Sequence, residues 1–171
     1  MQASQSVPAG NLSIATQRIK SDLAEIKEIK NYSMPCSLIQ NENLKVKGNL
    51  ANLKGTLYEG ALIPYIIEFT DQYPYTAPTF KFMTGGLFHP NVNLDNPNEG
   101  RMCIEKIFHW AVTYRLKDVL DDVYKTIQTP DLNNVGNPAA AVDFQDPDPD
   151  KKNYKAKVQA YLEKFNLVKK K

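Results

Sequence analysis

Between residues 36 and 84 four short runs follow one another with no helix-length segment between them: CSLIQ, LKVKGNL, ALIPYIIEF and TFKFM. Each carries β-branched and aromatic residues, and NEN and LKGTLYEG supply turn residues between the first three. Successive strands without intervening helices predict an antiparallel meander. Pro64 lies inside the third run and cannot donate to a ladder, so an edge position or a bulge is expected there.

Helical patterns flank these strands. Ile19, Leu23, Ile26 and Lys30 share one helical face, with Ser13 or Thr16 placed to cap its start. Arg18, Lys20, Lys27 and Lys30 make this helix basic, which suits either a solvated face or a docking surface for an acidic partner. Leu116, Val119, Leu120, Val123 and Ile127 recur at helical spacing until Pro130 stops them. Asn137-Pro138 before AAAV reads as an N-cap with proline at the first helical position. After the stiff QDPDPD linker, Tyr154, Val158, Tyr161, Leu162 and Phe165 mark a last amphipathic helix. Residues 84–110 read as a long loop rich in Gly, Asn and Pro, yet Leu87, Phe88, Val92, Met102, Ile104, Ile107, Phe108 and Trp110 argue that it is ordered. The expected architecture is α+β: an N-terminal helix, a four-stranded antiparallel meander, an ordered loop, then C-terminal helices. Residues 1–12 are expected to be flexible, 13–168 to form one core, and 169–171 to be a solvated basic tail. The chain of 171 residues suffices for one sizeable core.

Composition removes several function classes. A net charge of +2, with basic residues dispersed and no repeating aromatic-basic platform, gives no support for nucleic-acid binding. Cys36 and Cys103 are isolated, with no Cys-x-x-Cys pair, which argues against a metal site or a disulfide framework and fits a reducing compartment. No apolar run approaches the roughly 20 residues that span a bilayer. MQASQSVPAGN lacks the features of a secretory signal, so the cytoplasm or nucleus is expected, with a monomer as the default.

The stretch His89–Cys103, HPNVNLDNPNEGRMC, carries the chemistry. A thiol can hold an acyl group and an asparagine amide can donate to an oxyanion, so the pair suggests acyl transfer through a thioester. The commoner fate of a free cysteine is a small buried hydrophobe. Against that, a polar loop leads into Cys103 and Gly100 and Arg101 directly precede it. No histidine lies within four residues, which suits a carrier thiol better than a hydrolase nucleophile. Asn91 reads either as a turn residue or as an oxyanion donor, a role that can lower a barrier by roughly 3–4 kcal/mol. His89 and His109 read as structural.

YEG (58–60), F-x-x-x-YP-x-x-AP (69–78), HPN (89–91), G-x-x-C (100–103), Trp110 and the helix from Leu116 occur in the order of the ubiquitin-conjugating enzymes, and the chain resembles that family from Ile14 to Phe165. The resemblance implies that Cys103 accepts ubiquitin or a ubiquitin-like modifier from an activating enzyme and passes it to a substrate lysine with a ligase bound. Asn91 would stabilise the oxyanion or hold the active-site loop. Glu105 would orient or deprotonate the lysine, and Asn133 and Asn134 would occupy the place of an acidic gate loop. Arg18 on the first helix, Tyr75, Ala111 and Val112 would face the ligase. No stably bound cofactor is implied, since ATP and magnesium are consumed by the activating enzyme.

Several features depart from the family pattern. The HPN-to-Cys103 spacing is about four residues longer, through LDNPNE, and a glycine is added at Gly85-Gly86. Ala111 stands after Trp110 where proline is usual, YPYTAP lacks the first proline of the usual pair, and the gate has asparagines in place of aspartates. MPCSLIQNENL, LYEG, TYRLKDVLDDV and DKKNYKAKVQAYLEKF lean towards enzymes that carry a Nedd-type modifier, so that cargo stands beside ubiquitin. An inactive scaffold of the same fold is the alternative outside catalysis. A cysteine hydrolase is a third, and it needs His89 or His109 brought to Cys103.

Overall fold

The computed structural model describes residues 13–27, 37–39, 42–83, 87–95 and 98–168. The expectations for residues 1–12 and 169–171, and those touching Lys30, Cys36, Gly85 and Gly86, lie outside the described residues.

Helix α1 spans Ile14–Lys27. Ser13 caps it, its Oγ accepting from Thr16 N at 3.2 Å. The expected face is buried at Ile19, Leu23 and Ile26, joined by Ala15 and, unexpectedly, by Asp22. Strands β1 (Ser37–Ile39), β2 (Glu42–Leu50), β3 (Ile63–Glu68) and β4 (Thr79–Phe82) form an antiparallel sheet in sequence order, three longer strands with the short β1 at one edge. Val46, Ile63, Tyr65, Ile67, Phe80 and Phe82 turn inward. Each such side chain contributes about 1.5–3 kcal/mol by leaving water.

Pro64 needs neither an edge nor a bulge. It sits within β3, between β2 and β4, opposite Asn49 in an unbroken register. Its carbonyl accepts from Met83 N at 2.9 Å, just past the end of β4. Its nitrogen points to that same side, so no β2–β3 bond is lost.

The long loop is more structured than its composition suggests. Val92 bridges Met102, and Lys81 on β4 bridges Arg101, so the segment folds back on itself and lies along the sheet. Gly100 permits this approach. Its φ is +82°, and a Cβ there would lie 2.4 Å from the Phe82 carbonyl oxygen. A one-turn helix, α2 (Glu105–Phe108), follows the cysteine. Four residues are too few to show helical periodicity in a sequence.

Helix α3 (Leu116–Gln128) buries Leu116, Val119, Leu120, Val123 and Ile127, and its start is held by Arg115 N donating to Asp118 Oδ2 at 2.8 Å. Helix α4 (Pro138–Phe144) is capped by Asn137 Oδ1, which accepts from Ala140 N at 3.1 Å. Helix α5 (Lys152–Lys164) buries Tyr154, Val158 and Leu162. The helix α1 packs on β2 and α3.

Asp22 explains how α1 and α3 are locked together. Its buried carboxylate accepts from Tyr73 Oη at 2.7 Å, Leu116 N at 3.1 Å and Arg18 Nε at 3.1 Å, and pairs with Arg115 at 3.0 Å. A buried charge with this many donors is satisfied rather than stranded.

Candidate functional site

His89-Pro90-Asn91 forms a buried turn beneath the segment 131–137. The His89 Nδ1 accepts from Asn91 N at 3.1 Å. Burial holds this imidazole neutral, pushing its pKa down to about 4, while the backbone at Ile127 and Thr126 pulls the other way with smaller effect. Pro90 O accepts from Gly136 N at 2.8 Å and Asn137 N at 2.9 Å. The side chain of Asn91 then takes up the other end of the same segment. Its Nδ2 donates to Asp131 O at 2.7 Å and Asn134 O at 2.8 Å, and its Oδ1 accepts from Asp131 N at 2.9 Å. Both amide hydrogens are therefore committed. Of the two roles expected for Asn91, this geometry matches holding the loop.

Cys103 follows directly, because its N–H donates to Asn91 O at 3.0 Å. The thiol is half-buried at one end of a cleft of about 320 Å³, lined by Phe80 of β4, Asn98, Arg101, Met102 and Phe108 among others. Its pKa is raised, first by burial and second by the negative charge of Asp131. Among the described residues no histidine lines the cleft, and no cationic side chain is among the groups that shift the thiol. Among the described residues, no group of three His, Cys, Asp or Glu side chains could hold a metal ion.

Asp131 is the residue that sequence reasoning missed. The departure from acidic gate residues at Asn133 and Asn134 is met by a carboxylate two positions earlier. Asn134 Nδ2 donates to Asp131 Oδ2 at 2.5 Å, and Asn133 N donates to Oδ1 at 2.9 Å. These bonds, the Asn134 side chain first, lower the Asp131 pKa and keep it ionised. The available signal was the TPDLNN string after α3, where an aspartate in a turn-rich segment can accept from the backbone N–H two residues on, an Asx turn. Thus Asn134 lies in this loop with its side chain on Asp131, not free to act alone.

Glu105 stands exposed in the first turn of α2 and is absent from the cleft lining. The turn it begins is pinned from α3: the buried Asp122 carboxylate accepts from Lys106 N at 3.0 Å.

The residues expected to face a ligase divide. Tyr75 is 71% exposed and Val112 45% exposed, with Ala111 half-buried between Trp110 and Val112. Trp110 Nε1 donates to Pro74 O at 2.8 Å, which joins the loop of Tyr75 to the loop of Ala111 and Val112. Arg18 is half-buried and turned inward, donating to Asp22 and to Tyr114 O at 3.0 Å. It is a brace between α1 and the Trp110 loop more than a free cation.

Comparison with known proteins follows the same outline. Residues 18–162 match the family described as ubiquitin-conjugating enzyme. The chain is 30% identical over 148 residues to ubiquitin-conjugating enzyme E2 1 of Caenorhabditis elegans, covering 86% of this chain and 73% of that protein. It is 28% identical over 120 residues to ubiquitin-conjugating enzyme E2 1 of Schizosaccharomyces pombe, covering 70% of this chain and only 54% of that protein. A protein from Plasmodium yoelii described as a ubiquitin conjugating enzyme superposes with a TM-score of 0.79 at 17% identity, over 94% of this chain and 99% of that one. The E2 domain of a Toxoplasma gondii ubiquitin conjugating enzyme gives 0.74 at 20% identity, over 87% and 97%. At these identities the two structures speak to the fold alone.

Proposed function

Because the chain belongs to the ubiquitin-conjugating enzyme family, we propose that it is an active acyl carrier, with Cys103 as the thiol that receives the modifier. The observation that carries this reading is the Cys103–Asn91–Asp131 arrangement: a reachable thiol, an asparagine that holds the neighbouring loop, and a carboxylate whose charge reaches the sulfur.

The chemistry proceeds in two transfers. Cys103 loses its proton and its Sγ attacks the thioester carbonyl presented by the activating enzyme. The new S–C bond forms as the donor thiolate departs. A substrate lysine then attacks the Cys103 thioester as a neutral amine. The C–S bond breaks, the amide forms, the amine proton goes to a nearby base or water, and the Cys103 thiolate is reprotonated. In this reading Asp131, whose charge reaches the sulfur, attracts the lysine ammonium and takes the proton. Glu105, exposed in the first turn of α2 and outside the cleft lining, is a second carboxylate in this part of the chain. That no histidine lines the cleft among the described residues suits a carrier, since a general base at the sulfur would promote hydrolysis of the stored acyl group. A high thiol pKa keeps the resting sulfur protonated and unreactive until a partner docks.

Asn91 acts through the loop, fixing Asp131 and Asn134 beside the thiol. Tyr75, Ala111 and Val112 form the ligase-facing edge, with Arg18 bracing it from α1. Ubiquitin is the favoured cargo, because the curated relatives matched are named as ubiquitin-conjugating enzymes. The partners are then an activating enzyme that consumes ATP, a ubiquitin ligase and a lysine-bearing protein, met in the cytoplasm or nucleus by a monomeric carrier. The test is a loading reaction with an activating enzyme, ATP-magnesium and ubiquitin, run with and without reductant, beside a parallel reaction with the Nedd-type pair. A reductant-sensitive adduct that vanishes in Cys103→Ala supports the reading. No adduct with either pair points to the scaffold alternative.

A further inference from the structure

The one-turn helix α2 forms part of the surroundings of Cys103. Its cap Ile104 and its last two residues, Ile107 and Phe108, line the same cleft as the thiol. Burial is the first cause of the raised thiol pKa, so what fixes α2 also fixes how well the sulfur is covered. Four residues are too few for a helix to hold itself, and Ile104 has no side-chain oxygen to accept from the first-turn amides. That acceptor comes from another helix. The carboxylate of Asp122, on the buried face of α3, accepts from Lys106 N at 3.0 Å. The Lys106 side chain adds a second tie, its Nζ lying 5.2 Å from the centroid of the Tyr114 ring.

Asp122 differs from the other buried aspartate. The Asp22 carboxylate gathers Tyr73, Leu116 N, Arg18 and Arg115, whereas that of Asp122 has Lys106 N as its one donor among the described residues. A buried carboxylate with a single donor contributes little to folding stability, because desolvation offsets the bond. Nor is Asp122 among the charges that shift the sulfur, where Asp131 acts. Its remaining effect is mechanical, on α2.

We infer that Asp122 is a positioning residue for the carrier thiol: by capping α2 from α3 it keeps Ile107 and Phe108 beside Cys103, so that the resting thiol stays covered and the loaded thioester is shielded from water. The second half of this rests on the carrier reading above. The loss that α2 guards against is hydrolysis. Water attacks the thioester carbonyl, the new C–O bond forms as the C–S bond breaks, the modifier leaves with a free carboxylate, and the proton returns Cys103 to its thiol. An α2 freed from Asp122 would open the sulfur and that carbonyl to water without changing the charges around them.

The experiment compares the full chain with Asp122→Ala, Asp122→Leu and Asp122→Asn in three measurements. These are urea unfolding, iodoacetamide alkylation of Cys103 across pH, and decay of the preloaded thioester with no acceptor present. Alkylation is read by mass spectrometry on the peptide that contains Cys103, which keeps Cys36 out of the signal. Asp122→Ala and Asp122→Leu should unfold at the parent's urea midpoint or above it. Both should alkylate Cys103 with a half-reaction at lower pH, and lose the thioester to water about fivefold faster, the equivalent of one hydrogen bond of about 1 kcal/mol. Leucine restores the side-chain volume, so a defect shared with alanine is not a cavity effect. Asp122→Asn keeps a carbonyl acceptor for Lys106 N and should stay close to the parent in all three. An Asp122→Leu protein with the parent's alkylation profile and hydrolysis rate would overturn the inference, whatever its stability. Asp122→Asn as impaired as Asp122→Ala would overturn it too, because the acceptor would not be what matters. Loss of the fold in both Asp122→Ala and Asp122→Leu would make Asp122 a residue of the fold alone, and the inference would fall. Alkylation needs no modifier. A parent that forms no thioester would therefore take down the carrier reading, while a shifted Cys103 profile would still uphold the hold of Asp122 on the thiol's cover.

Discussion

Asn91 and Asp131 are tied by a reciprocal pair of hydrogen bonds: Asp131 N donates to Asn91 Oδ1 at 2.9 Å, and Asn91 Nδ2 donates back to Asp131 O at 2.7 Å. With the third bond to Asn134 O, one side chain closes the loop that carries the site's carboxylate. Replacing Asn91 by alanine leaves three backbone groups without these partners. Loading at Cys103 should continue, because the thiol and its cleft are unchanged. Discharge to lysine should slow by about 10- to 100-fold, the scale expected when a catalytic group is misplaced by an ångström or so. Single-turnover discharge of preloaded protein measures this, and equal rates for both proteins would remove Asn91 from the transfer step.

The field of Asp131 on the thiol has a sign that can be tested. A carboxylate near sulfur disfavours the thiolate, so Asp131 and burial together raise the Cys103 pKa. Asp131→Asn removes the smaller of these two effects. The pH at which Cys103 becomes half-reactive towards iodoacetamide should therefore fall, though burial should keep it above that of an ordinary cysteine. Discharge to lysine should fall as well, because the amine loses its attractor. An unmoved alkylation profile would place Asp131 too far from the sulfur to matter.

His89 makes stability depend on pH in a definite window. Its folded pKa of about 4 lies below the ordinary value of about 6.5, so the unfolded chain binds the proton more readily. Stability is fully present above about pH 6.5, declines as pH falls towards 4, and levels off below, with a total effect of about 3 kcal/mol. His89→Asn keeps an acceptor for Asn91 N and cannot be protonated. Urea midpoints between pH 7 and pH 4.5 should slope for the parent and be flatter for the variant. Identical slopes would contradict the buried neutral imidazole.

Gly100 tests the path of the lengthened loop. A methyl group there meets the Phe82 carbonyl at 2.4 Å, and the backbone has a positive φ. Gly100→Ala should cost about 1–3 kcal/mol in denaturant unfolding and slow loading at Cys103, which lies three residues on. Unchanged stability and loading would show that the loop does not depend on this approach to β4.

Much of this arrangement was legible in the residues. The four strand runs, the Ser13 cap, the Leu116 helix and the Asn137-Pro138 cap follow from local patterns, though β2 begins at Glu42, inside the NEN segment read as a turn. Cys103 and Asn91 were singled out by residue type and spacing, and they meet through the Cys103 N–H. What local pattern could not show is long-range. Asp22 reads as a solvated helix residue until Tyr73, Arg115 and Leu116 N converge on it from elsewhere in the chain. Asp131 gains meaning only when Asn91, forty positions earlier, reaches it. Arg18 looked like a free cation because the Tyr114 carbonyl that receives it is distant in sequence. Pro64 reads as an edge or bulge residue because sequence does not tell which way its nitrogen points within β3, and here it faces away from β2.

The most direct measurement is the loading reaction on the parent, Cys103→Ala and Cys103→Ser, with ubiquitin and its activating enzyme. The parent should form an adduct that reductant removes, Cys103→Ala should form none, and Cys103→Ser should trap an adduct that reductant leaves intact. An adduct that persists in Cys103→Ala, or a parent that takes up neither ubiquitin nor the Nedd-type modifier, would contradict the central claim that Cys103 is the carrier thiol.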